Sequence, residues 1–390
     1  MPVGGAETLL VNLIRRLDPS RFQAEVVCLK EPGPLGQEIE QLIPVHSHLI
    51  GGKYDVAVLY RLAKLMVSRR VDAVITVGAG DKMFWGRLAA HLAGVPVIAS
   101  ALHSTGWPDG VGRLNRSLTT ITDAFIAVAD SHGEFLRCHE RFPADKVHVI
   151  RNGVDCQRFQ PDPQARKSVR DELQLPSDAP LVGIVAALRS EKNHRLFLAT
   201  AAKLKASFPA AHWLIIGDGP ERPSIEDACI ELGVSDRVHL LGTRHDTPRL
   251  LAALDAFSLC SLNEASPVSI LEALACEVPV AATDVGSISE SIRDAETGFL
   301  VESQNVDAMA DRVGRLLKRA EIGDRTMGQA GRELVLSTGS LDSMVAGYEK
   351  LVTKLYDERA EPHCQQATVA KVREAPRFGT LAWAKKEPRV

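Results

Sequence analysis

Short apolar runs alternate along nearly the whole chain with amphipathic segments of helical spacing. In the first half the strand-like runs are Ala24–Leu29, Ala73–Thr76, Val95–Ser100, Ala124–Ala127 and Val147–Ile150. Helical patterns separate them, clearest at Val56–Arg69, Met83–Ala93 and Ser131–Phe142. The pattern restarts at Leu181–Ala187 and continues through Trp213–Ile216, Val238–Leu241, Ala256–Ser261 and Val278–Thr283. The helices expected there are Arg195–Phe208, Val268–Cys276, Val306–Leu317 and Leu341–Tyr356. Such alternation predicts an α/β protein built on doubly wound parallel sheets.

The interruption between the two runs, Cys156 to Pro180, holds four prolines and many charges and reads as a linker with one short helix. A chain of 390 residues is long enough for two domains, each with its own core. The expected division is a first domain over 1–155, a linker over 156–180, a second domain over 181–338, a helix over 339–356 and a disordered tail over 357–390. A net charge of −3 gives no field that would draw nucleic acid. The seven cysteines (28, 138, 156, 229, 260, 276 and 364) form no C-x-x-C pair and read as free, mostly buried thiols of a reducing compartment. No signal peptide and no 18-residue apolar span is visible. The reading is a cytoplasmic protein, with peripheral contact at the inner face of the plasma membrane left open.

Chemistry concentrates between Leu254 and Leu300. An apolar run, a polar loop, a helix and a second apolar run make a βαβ unit, whose ligand belongs at the strands' carboxyl ends beside a helix N-terminus. Glu264 falls in that loop, and Glu272 about one turn into the helix. Carboxylates beside an anion-favouring helix start suit the neutral hydroxyls of a ligand whose phosphates meet the helix end. Elsewhere, His103 follows a strand in ALHSTGWPDG, a cleft position, with Trp107 and Asp109 nearby but given no role, while His132 and His139 read as surface residues of a helix. Gly51-Gly52-Lys53 lacks the surroundings of a phosphate-binding Walker loop. Asn152-Gly153 reads as a structural turn.

The spacing Glu264-x7-Glu272 within SLNEASPVSILEALACEVPVAATDVGSISE resembles the signature of retaining glycosyltransferases of GT-B fold, in the large fourth family that uses nucleotide-sugar donors. The likeness extends over about residues 3 to 352. It implies two Rossmann-like domains facing a cleft, a nucleotide-sugar donor, a saccharide or lipid-linked acceptor, no cofactor and no metal. It assigns Glu272 to the ribose hydroxyls, Glu264 to the sugar, and Lys192, with Arg189, to the diphosphate. His103 is implied near the reaction centre. Gly4 and Gly5 would line the donor or acceptor, Gly242 and Thr243 the nucleotide, and Ser266 and Val268 would offer backbone groups at the helix start. The motif Gly217-Asp218-Gly219-Pro220 is a strand-to-helix turn, not a metal-binding Asp-x-Asp.

Four departures stand against the family pattern. Ala187 occupies the position of a phosphate-gripping Arg, and Ala265 replaces a Gly. Glu277 replaces a Gly where a left-handed backbone is common, at a cost of roughly 1 kcal/mol. The sequence opens at the Gly4-Gly5 loop without the strand the family places before it, so Met1 is not expected to be the first residue of the functional protein. Other readings are a GT-B epimerase or phosphorylase, and an inactive nucleotide-sugar-binding protein.

Overall fold

The computed structural model describes residues 1, 4–52, 55–78, 80–103 and 116–373, apart from the side chains of 81 and 360–373. Trp107, Asp109 and Lys53 lie outside the described residues. The first domain begins with helix α1 (Gly5–Arg16), which buries Leu9, Val11 and Leu13. Four parallel strands follow in spatial order β3 (Ala73–Gly78), β4 (Val97–Leu102), β5 (Ala124–Ala127) and β6 (Val147–Val149). β4 and β5 are buried at every position, which is why they read as unbroken apolar runs rather than alternating ones. The expected strand at Ala24–Leu29 shrinks to β1 (Val26–Val27), paired with β2 (Val45–His46) in a sheet of its own. Helices α2 (Gly33–Ile39), α3 (Val58–Arg69), α4 (Asp81–Leu92) and α5 (Asp130–Cys138) cover these strands.

The stretch read as a linker contains α6 (Pro163–Glu172), capped by Asp162. This helix docks firmly on the second domain. Arg170 is fully buried and donates to the carbonyls of Ala179 and Ala253 and to Asp255 (2.8 Å), which also pairs with Arg166.

The second sheet is parallel throughout and comprises β7 (Leu181–Val185), β8 (His212–Ile216), β9 (Val238–Gly242), β10 (Ala256–Leu259), β11 (Val280–Thr283) and β12 (Gly298–Val301). Its spatial order is β12-β11-β10-β7-β8-β9. The order reverses between β7 and β10, so the loops leaving those strands diverge and open a crevice at their carboxyl ends. Helices α7 (His194–Leu204), α8 (Arg222–Glu231), α9 (Thr247–Ala252), α10 (Val268–Ala275), α11 (Val306–Glu321) and α12 (Thr326–Thr338) complete this Rossmann-like unit.

Helix α13 (Leu341–Arg373) returns to the first domain, packing Leu341, Met344, Val345, Tyr348 and Leu351 against a cluster with Leu9, Leu13 and Ala99. Both passages of the chain between the domains run side by side: Val154 N–H donates to Gly339 O (2.9 Å) and Leu341 N–H to Val154 O (3.0 Å). The sequence reading ends this helix at Tyr356 and expects a disordered tail beyond it. The helix instead continues to Arg373. Its added turns are dominated by Ala, Glu, Gln, Lys and Arg, all good helix formers, despite Pro362.

Glu277, just past α10, does adopt the left-handed backbone, with φ of 60°. Glu277→Gly is therefore expected to stabilise the second domain by about 0.5–1 kcal/mol, the relieved strain exceeding the extra chain entropy of glycine. That raises the thermal midpoint by about 1–4 °C, readable by calorimetry; an unchanged or lower midpoint would show that Glu277 is unstrained.

Candidate active site

The crevice at the β7/β10 divergence is built from two loops. After β7 the chain runs through residues 186–189 into a 3-10 turn, Ser190–Lys192, and Asn193 takes a left-handed conformation that starts α7. After β10 comes 260–267, which ends at α10. Leu262 N–H donates to Glu191 O (2.8 Å), stitching the loops together.

Across that stitch Lys192 Nζ donates to Glu264 Oε1 at 2.5 Å. Ser261 Oγ donates to the same oxygen at 2.7 Å. Glu264 is only 8% exposed, so the carboxylate end of the pair is largely shielded from water, while the Lys192 side chain is 22% exposed. Both charged residues stand out in the sequence, whereas their contact and Ser261 do not.

Glu272 lies on the same helix that follows Glu264 and is half-buried. Its surroundings are desolvating: burial pushes the carboxyl up to about 7, against a smaller opposing pull from Arg158. A carboxylate in that condition gains from any ligand that brings hydroxyl donors.

The ends of β8 and β9 form the next wall. Gly217 has φ of 141°, and a Cβ there would stand 2.1 Å from Ala186 O, so only glycine lets this turn lie on the 186–188 loop. Its N–H donates to Gly242 O (2.9 Å), and Gly242 itself has φ of 66°. Thr243 follows, exposed. Arg189, whose N–H donates to Ala187 O, is turned away from the Lys192–Glu264 pair: its side chain is 64% exposed and meets Glu191 at 3.9 Å. The structure does not bring it to that pair.

The first domain supplies the facing wall. His103 directly follows β4 and is half-buried. Burial pushes its pKa down to about 4, and the charges of His132 and Lys82 act in the same direction, so the ring is neutral at physiological pH. His132 is not the surface residue expected from the sequence. It is 2% exposed, and its Nδ1 accepts from Val128 N–H (3.3 Å), because its side of α5 faces the sheet rather than solvent. Lys82 meets Glu7 at 3.7 Å beside the start of α1, where Gly4 O accepts from Thr8 N–H (2.9 Å) and Gly5 opens the helix. A Cβ on Gly5 would meet nothing within 4 Å.

Two contacts join the walls near the helix start. Asn152 Nδ2 donates to Ser266 O (3.0 Å), and Val268 packs against the first domain's cluster around α1 and α13. Asn152 thus does more than turn the chain, although Asn-Gly in sequence signals only the turn. Beside it a cavity of about 220 Å³ lies between the domains, lined by Arg151, Asn152, Ser266 and Glu290 among others. Among the described residues no group of three or more His, Cys, Asp or Glu is arranged to hold a metal ion.

Two Rossmann-like domains, a switch-point crevice and this pair of carboxylates define a GT-B architecture. Comparison with known proteins agrees. A family profile described as Glycosyl transferases group 1 matches residues 165–334, and one described as Glycosyltransferase Family 4 matches residues 3–158. The chain belongs to the group 1 glycosyltransferases. It is 27% identical to a UDP-Gal:alpha-D-GlcNAc-diphosphoundecaprenol alpha-1,3-galactosyltransferase of Escherichia coli, over 81% of this chain and 86% of that one. A glycosyltransferase structure from Rickettsia africae superposes with a TM-score of 0.79 at 21% identity, covering 91% of this chain and 97% of that one. Anabaena Alr3699/HepE in complex with UDP superposes with a TM-score of 0.78 at 20% identity, covering 90% and 96%.

Proposed function

We propose that the protein is a retaining hexosyltransferase that moves a sugar from a nucleotide-sugar donor to a saccharide or lipid-linked acceptor in cell-surface polysaccharide or glycolipid synthesis. The observation that carries this is the Lys192–Glu264 pair at the switch point, with Glu272 on the adjoining helix. The E. coli relative named for a UDP-galactose donor and a lipid diphosphate acceptor, and the UDP complex of the Anabaena protein, point to a uridine diphosphate sugar. In this reading Glu272 accepts from both ribose hydroxyls and Glu264 from hydroxyls of the sugar. Lys192 and the N-terminus of α10 face the diphosphate, where negative charge grows as the bond breaks. Gly242, Thr243 and the Ser266 and Val268 backbone line the nucleotide, and neutral His103 faces the sugar.

The chemistry consistent with these groups is front-face displacement. The bond from the anomeric carbon to the β-phosphate oxygen breaks, and the bond to the acceptor oxygen forms on the same face. The acceptor's proton passes to the departing phosphate. Lys192 and the helix end supply the positive charge that the leaving group needs, so the reaction proceeds without a metal. Among the described residues no helix is long and apolar enough to cross a membrane; a lipid-linked acceptor would be met by peripheral contact at the cytoplasmic face.

Titration calorimetry and a hydrolysis assay across a panel of nucleotide sugars test this reading. Ala187 in place of an Arg favours a second one, a protein that binds the donor without turning it over. Tight binding with no hydrolysis or transfer would support that alternative; consumption of inorganic phosphate, or isomerisation without an acceptor, would mark a phosphorylase or an epimerase. Within the first reading, Glu264→Gln is expected to lower turnover roughly tenfold, about one charge-assisted hydrogen bond, while UDP affinity stays within about twofold. An equal loss in both quantities would mean that Glu264 does not contact the transferred sugar.

A further inference from the structure

Helix α5 of the first domain begins with Ala129 at its N-cap, which has no side-chain acceptor to offer the open N–H groups of the first turn. The second domain supplies one. Glu290 reaches across the cleft, its Oε2 accepting from Asp130 N–H (2.8 Å) and its Oε1 from Ser131 N–H (2.7 Å) and Ser131 Oγ (2.5 Å). Arg151 pairs with Asp130 and stands 3.8 Å from Glu290, closing the contact on its outer side.

The segment that delivers Glu290 also touches the catalytic loop. Glu290 ends a 3-10 turn, Ile288–Glu290, that follows directly on Gly286 and Ser287. Gly286 has φ of 59°, and a Cβ there would stand 1.7 Å from Glu264 O, so the two loops are in backbone contact. Buried Ser287 donates from its N–H to Glu264 O (3.3 Å) and from its Oγ to Ala265 O. Five residues, 286–290, therefore connect an interdomain cap to the main chain of Glu264.

We propose that Glu290 is a positioning residue that couples closure of the two domains to the placement of Glu264. With the cleft closed, the missing cap of α5 is filled and residues 286–290 are held from both ends, so the loop bearing Glu264 is fixed. Opening withdraws the carboxylate, leaves the α5 donors to water and frees the segment that braces Glu264. Donor turnover is thereby confined to the closed form, while the nucleotide, held on the second domain alone, binds either form. This rests on the sugar-facing role of Glu264 given above.

The test combines steady-state kinetics, UDP calorimetry and small-angle X-ray scattering on the full chain for Glu290→Ala and the isosteric Glu290→Gln. For Glu290→Ala the expected result is a fall in kcat of roughly tenfold, UDP affinity within about twofold of wild type and a larger radius of gyration. Glu290→Gln, keeping the shape and one acceptor, should fall between it and wild type and guards against misfolding of the alanine variant. Wild-type kcat, or an unchanged radius of gyration, in the folded variants would overturn the proposal, as would a loss of UDP affinity equal to the loss of kcat. If the wild-type protein turns over no donor, the proposed function fails and the coupling to turnover with it. The scattering comparison would still decide whether Glu290 holds the domains together.

Discussion

Replacing Lys192 by alanine is expected to lower turnover by about 10²–10³, equivalent to about 2.7–4 kcal/mol of transition-state stabilisation. The reason is its position in the fold. Lys192 is the last residue of a turn between β7 and α7, and its ammonium meets Glu264 where the order of the sheet reverses. An ammonium has three N–H donors. One holds Glu264 and two remain; under the proposed function these would meet diphosphate oxygens, so a single residue would align the proposed sugar-binding carboxylate and neutralise the leaving group together. The alternative is that Lys192 serves only to satisfy a buried carboxylate. In that case the substitution would act mainly on stability, at about 1–3 kcal/mol for a buried acceptor that loses one partner, and Ser261 would soften even that loss. Measuring kcat and the thermal midpoint on the same variant separates the two. A midpoint lowered by several degrees with kcat within threefold of wild type would assign Lys192 to the fold and remove it from the reaction centre.

The parts of this site that were legible in the sequence are those written in contiguous residues. Glu264 and Glu272 sit on one loop and the helix that follows it, so their spacing and setting can be read directly. The strands buried on both faces, such as β4 and β10, announce themselves as apolar runs. What joins distant segments was not legible. Lys192 and Glu264 are 72 residues apart, and their contact depends on which strands are neighbours, which the alternation of β and α does not specify. The cap of α5 is divided between an alanine and a glutamate 161 residues further on, so neither residue shows a signal alone. His132 is buried against the pattern for a related reason: helical spacing gives a face, but only the packing of α5 decides which face is inside. The extension of α13 was hidden by a different conflict, since three prolines and mixed charge outweighed the strong helix formers in the reading. Arg189 stands two residues from the expected position, and its side chain is exposed and meets Glu191 rather than the Lys192–Glu264 pair.

The second large effect is expected at Glu272, and it has opposite signs for binding and for stability. Burial raises the carboxyl to about 7, well above the 4.5 of an unperturbed glutamate. A raised carboxyl means that the fold prefers the protonated group. Its unfavourable contribution to stability is absent below about pH 4.5, grows as pH rises and is complete above about pH 7. Glu272→Gln carries no charge to desolvate, so the ligand-free variant should melt at a higher temperature than wild type at pH 8 and at nearly the same temperature at pH 4.5. Binding runs the other way. Under the proposed function two ribose hydroxyls donate to the ionised group in charge-assisted hydrogen bonds worth about 1.5–3 kcal/mol, and the variant should lose roughly 10- to 150-fold in UDP affinity. Wild-type affinity should also weaken as pH falls through 7, because the proton competes with the hydroxyls, while the variant should keep only the shallower pH dependence set by the terminal phosphate of UDP, which titrates at about 6. Calorimetric titration of UDP at pH 6, 7 and 8, with a melting curve for each ligand-free protein, reads both effects. A weaker-binding variant that is also less stable at pH 8 would show Glu272 to be a structural residue. One that binds UDP as wild type does would place the ribose elsewhere in the cleft.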